Sequence, residues 1–73
     1  MTGIGTGDKA FLKIPISEVT GFGLELPDAL MVMAYPVLVR LIEDHGFGKV
    51  AFVKSLKRPF GMWIELGRLE RLE

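Results

Sequence analysis

The stretch from Pro27 to His45 constrains this chain more than any other part of it. It carries no charged side chain between Ala29 and Val39, and after Arg40 come two more large apolar residues, Leu41 and Ile42. A run of that kind must be hidden. A bilayer span needs about 20 apolar residues. This run is shorter and holds Pro36 in its middle, so it belongs to a core or an interface rather than to a membrane.

The start of the stretch, Leu26-Pro27-Asp28, reads as a helix beginning, with proline in the first turn and an acid beside the exposed amides. Leu30, Met31, Met33 and Ala34 are good helix formers. Pro36 removes a donor and kinks or divides the helix. Beyond it, Val37, Leu38, Leu41 and Ile42 fall on one face at helical spacing, with Arg40, Glu43 and Asp44 on the other. Gly46 then reads as the left-handed stop. The spacing therefore predicts a helix over 27–45, kinked at Pro36. The rival is a strand over 37–43, because Val-Leu-Val-Arg-Leu-Ile is also β-prone.

The flanking segments supply strands. Ala10 to Ile16 alternates Phe11, Lys13 and Pro15 with Leu12, Ile14 and Ile16, and Pro15 suits a strand end. Ser17 to Glu25, with Gly21-Phe22-Gly23, reads as an irregular connection. Lys49 to Lys57 is a strand, Lys57 to Gly61 a turn, and Met62 to Leu66 the returning strand with Met62, Ile64 and Leu66 on one face. Leu69 and Leu72 are spaced for one helical turn. The expected fold is a small α+β, two-layer β-α-β-β domain over residues 10–71, its first two strands pairing in parallel through a crossover. The strand reading of 37–43 would give an all-β, SH3-like small barrel instead. Residues 1–9, with alternate glycines at 3, 5 and 7, read as a flexible segment, and 72–73 as a cloning scar.

Composition matters at this point. The chain has 73 residues, no cysteine, one histidine and 49% hydrophobic residues. A domain of this length buries only about 60% of its unfolded surface. Disulfides and thiolate metal sites are excluded, and one histidine makes no zinc site, so the expected staple is self-association. No cofactor is indicated. Met1 to Lys13 lacks the basic start and apolar run of a signal peptide, which favours a cytoplasmic protein. Nine basic and nine acidic side chains cancel, so no global attraction to nucleic acid is expected. Their layout is uneven: Glu18, Glu25, Asp28, Glu43 and Asp44 precede Lys49, Lys54, Lys57 and Arg58.

Several clusters invite a functional reading. Gly3, Gly5 and Gly7 lack the preceding strand and following helix that a phosphate loop needs. His45, beside Asp44 at the expected helix end, has no partner nucleophile or second histidine in its neighbourhood, and reads as a solvated capping residue. Lys54, Lys57 and Arg58 lie near Phe60 and Trp63 on a hairpin, where cations and rings can hold a single-stranded nucleic acid. Met31, Met33, Tyr35 and Leu38 form an apolar band that suits a homodimer interface, or a Met-lined pocket for a small ligand or protein partner.

Two short stretches resemble known families. Ile14-Pro15, Gly23-Leu24 and Asp28 are similar in spacing to swapped-hairpin transcription factors of the AbrB type, over about 15 residues and without their basic DNA-contacting residues. Gly48-Lys-Val-Ala-Phe-Val53 and Gly61-Met-Trp63 resemble one stretch of CAP-Gly and related SH3-like barrels, without the signature segment of that family. Neither carries a function across. The sequence thus points to a self-associating, non-catalytic interaction protein, a dimer first, with a nucleic-acid module and a small-ligand binder as alternatives.

Overall fold

In the computed structural model, which describes residues 3–72, five strands form one antiparallel sheet covered on its inner face by two helices. The elements run β1 (Lys9–Leu12), α1 (Ile16–Thr20), α2 (Leu26–Ala34), β2 (Val37–Asp44), β3 (Lys49–Ser55), β4 (Gly61–Glu65), a short 3-10 turn (Leu66–Arg68) and β5 (Leu69–Arg71). The strand order is β4-β3-β2-β1-β5. It is a small α+β domain.

The expected helix over 27–45 is corrected to a shorter helix followed by a strand. Helix α2 starts on cue, with Pro27 in its first turn and Asp28 beside the free amides. It ends at Ala34 because Tyr35 is extended, at φ −121° and ψ 153°. Proline at 36 disfavours the helical conformation in the residue before it. The chain then enters β2, which pairs with β3 from Val37↔Ser55 to Asp44↔Lys49, with a bulge between Val39 and Leu41.

That bulge explains the helical appearance of the segment. A regular strand alternates with period two. Here the extra residue, Arg40, shifts the alternation by one, so that Val37, Val39 and Ile42 point inward while Leu38 and Leu41 point outward. Apolar residues at 37, 38, 41 and 42 thus imitate a helix face although they line two faces of a strand.

The other departures follow from short elements. Among the described residues no strands pair in parallel: β1 lies antiparallel between β2 and β5. The stretch read as an irregular connection contains α1, whose N-cap is Pro15 and whose end is marked by the Gly21 N–H donating to the Ser17 carbonyl at 2.9 Å. The tail read as a helical turn is β5, with Leu12 opposite Leu69. Gly46 does adopt a left-handed φ of +86°, but in the β2–β3 turn, where its N–H donates to Asp44 Oδ1 at 3.0 Å. Positive φ serves hairpin turns as well as helix ends.

The core lies between the inner sheet face and the helices. Val37, Val39, Ala51, Val53, Met62 and Ile64 meet Val19, Ala29 and Val32. Within the stretch read as flexible, Ile4 is buried in this core and the Gly7 N–H donates to the Val39 carbonyl at 2.7 Å. Met1, Thr2 and Glu73 lie outside the described residues, so part of the 1–9 and 72–73 readings does too. Among the described residues no helix is long and apolar enough to cross a membrane.

Candidate functional site

With the inner sheet face committed to the core, alternation turns the other half of each strand outward. On β3, Ala51, Val53 and Ser55 are buried, so Val50, Phe52 and Lys54 face out. On β4, Met62 and Ile64 are buried, so Gly61, Trp63 and Glu65 face out. Register places these in three rows: Glu43, Val50 and Glu65; then Leu41, Phe52 and Trp63; then Leu38, Lys54 and Gly61. The middle row is apolar throughout. One outer row carries two carboxylates and the opposite row an ammonium.

The apolar row continues into the β2–β3 turn as a chain of rings. Phe52 and Trp63 have centroids 5.4 Å apart, Trp63 and His45 6.3 Å, and His45 and Phe47 6.2 Å. These separations are those of favourable aromatic pairs. Phe47 is 78%, Trp63 46% and Leu41 45% exposed, while Phe52 is half-buried. Gly61 lets Phe52 lie flat, since a Cβ there would stand 2.7 Å from Phe52 Cζ.

Two hollows flank the ridge. One of about 280 Å³ lies among Phe47, Lys49, Val50, Glu65 and Leu66, at the end bearing the carboxylates. The other, of about 300 Å³, lies among Phe52, Lys54, Pro59, Phe60 and Gly61, at the opposite end. His45 lies on the open turn, with its Nε2 2.9 Å from Glu43 Oε1. A carboxylate only accepts, so the imidazole donates this bond. Among the described residues no three acidic or histidine side chains are placed to hold a metal ion.

The residues singled out by sequence are divided by the fold. Met31 and Met33 are half-buried on α2, inside the sheet, and Met33 packs against the core. Tyr35, just after α2, is exposed under the Lys57 ammonium, 4.7 Å from its ring centre. Leu38 stands on the outer sheet face. The second set divides likewise. Lys54 and Trp63 share the outer face. Lys57 is drawn to Tyr35, and Arg58 Nε donates to Asp28 Oδ1 at 2.8 Å. Phe60 is half-buried and meets Phe22 edge-on at 6.1 Å. Leu41 and Phe47 were not among the residues singled out for a site. The alternation of Val50, Phe52 and Lys54 against Gly61, Trp63 and Glu65 would have revealed the face once β2 was read as a strand.

A second charged contact is structural. Arg68 donates from both terminal nitrogens to Glu18, at 3.0 and 2.6 Å, joining α1 to the turn before β5. These bonds hold the Glu18 carboxyl below its usual range; partial burial opposes them and the guanidinium charge adds to them. Arg68 is raised by the same bonds.

Comparison with known proteins brings no relative to bear on this surface: no family model matches the chain, and no curated protein or solved structure does.

Proposed function

We propose that this chain is a small, non-catalytic interaction protein that self-associates through the outer face of β2, β3 and β4. The observation that carries the reading is the outward-facing apolar row of exposed Leu41, half-buried Phe52 and exposed Trp63, continued by His45 and Phe47. Isolated exposed apolar residues are ordinary, but a contiguous patch on a monomer's surface marks a binding site. A charge-poor aromatic centre with a charged rim is the anatomy of a protein interface. The open setting of His45, paired to Glu43 on a turn, supports binding over catalysis.

The occupant is a second copy, because the face offers both signs of charge and so suits itself. A nucleic acid fits less well. The rings and Lys54 would favour it, yet Glu43 and Glu65 stand on the same face and repel phosphate, while Lys57 and Arg58 are engaged toward the helices. For a small ligand, the methionines are half-buried and the hollows lie elsewhere.

Light scattering tests the reading. The wild type should return about twice the 8.1 kDa chain mass at high concentration, and Trp63→Ser should return one chain while remaining folded. A wild type that stays monomeric while binding a labelled single strand, more weakly as salt rises, would replace the second copy with nucleic acid.

A further inference from the structure

We infer that the second copy docks in one orientation only: across a two-fold axis that runs along the Leu41–Phe52–Trp63 row, with each copy's carboxylate end over the other's lysine end. The inference rests on the self-association proposed above and specifies its geometry.

A face-to-face pair of identical sheets is related by an in-plane two-fold axis, whose limiting directions are along the strands and across them, and an isologous contact must satisfy itself under that rotation. With the axis along β3, Lys54 lies over the other copy's Lys54 and Glu65 over its Glu43. Both contacts join like charges, which selects against that arrangement. With the axis across the strands through Phe52, positions two residues to either side exchange. Val50 then lies over the other copy's Lys54, and Glu65 over its Gly61, the cross-strand neighbour of Lys54. Opposite charges meet twice, and Phe52 meets Phe52 at the centre.

Shape agrees with charge. Phe47 projects from the carboxylate end, largely exposed. The rotation carries it to the far end of the other copy, where the hollow among Phe52, Lys54, Pro59 and Phe60 is open. Each copy supplies one ring and one hollow. The four residue steps from Val50 to Lys54 span about 13 Å, enough to keep the two charged ends apart.

Sedimentation equilibrium on the full chain, with each variant first shown folded by circular dichroism, tests this. Lys54→Glu should raise the dimer dissociation constant about tenfold, and so should Glu65→Lys. The double variant Lys54→Glu/Glu65→Lys should recover most of the lost affinity, because the residue 54–65 attraction is restored with its signs reversed while Glu43 alone stays as it was. The strand-parallel axis predicts no such pattern: Lys54→Glu merely exchanges one like-charge pair for another. Phe47→Ala, on an exposed turn, should also weaken the dimer. If the single charge variants and Phe47→Ala associate as the wild type does while Trp63→Ser is monomeric, the orientation is wrong and the face is right. If Trp63→Ser still dimerises, or the wild type never does, the face itself is wrong and the orientation falls with it.

Discussion

Gly61 shows how a single hydrogen shapes the outer face. The Phe52 ring lies where a Cβ on residue 61 would be, 2.7 Å from Cζ, with the Val53 carbonyl oxygen at 3.2 Å. Alanine is ordinarily better than glycine inside a strand, by reducing the freedom of the unfolded chain. Here the ring must swing outward and give up its contact with the sheet, which costs about 1 kcal/mol. Gly61→Ala is therefore expected to lower the urea midpoint, and a rise would show that the ring does not rest on this position. Glu18 gives a pH dependence of definite sign. Its carboxyl titrates below its usual 4.5 in the folded state, held down mainly by the Arg68 hydrogen bonds. A lowered carboxyl contributes stability that is fully present above the unfolded value and fades as pH falls through the folded one. Arg68, already cationic at any ordinary pH and raised further, adds no slope of its own. Urea midpoints of wild type and Glu18→Gln should differ at neutral pH and converge in strong acid. A gap that persists undiminished at low pH would mean that the pair is not what Gln removes.

Elements differ in how plainly the sequence announces them. The β3–β4 hairpin is legible because each strand alternates cleanly, Ala51 and Val53 inward against Val50 and Phe52, and Met62 and Ile64 inward against Trp63. The start of α2 is legible because Pro27 and Asp28 have local physical roles. Strand β2 is disguised by the bulge at Arg40, and only its pairing with β3 overrides the helical spacing. Helix α1 and strand β5 have five and three residues, too few to show a period. Strand β5 depends on Ala10 to Leu12 at the other end of the chain, which no local signal encodes. The candidate face was half legible for the same reason. Lys54, Trp63 and Leu38 stood out by type, but they share a face with Leu41 only through register. Pro36 stands at the boundary between α2 and β2. Replacing it with alanine should cost about 0.5–1 kcal/mol, mostly by freeing the unfolded chain. It should not lengthen the helix, since Val37 is held opposite Ser55. Far-UV circular dichroism that gains helix in Pro36→Ala would show that the proline, rather than the sheet, keeps 37–44 extended.

At the scale of the whole molecule, the exposed apolar rings are not a sign of loose folding. The radius of gyration is 11.5 Å, close to the roughly 11 Å expected for a compact chain of this length. The inner sheet face is filled by small and branched side chains, among them Val37, Val39, Val53 and Ala51. The largest side chains of β3 and β4, Phe52 and Trp63, point the other way. A chain this short has one core, and the bulkiest residues of β3 and β4 lie outside it. That allocation is the physical basis of the proposed self-association, and it makes Trp63 a natural reporter, because it is the single tryptophan of the sequence. Its emission and its quenching by acrylamide, followed on dilution, address the proposal directly. At high concentration the indole should emit at shorter wavelength and resist the quencher, and both should revert on dilution as the copies separate. Emission and quenching that stay the same, with the indole equally open at every concentration, would contradict it.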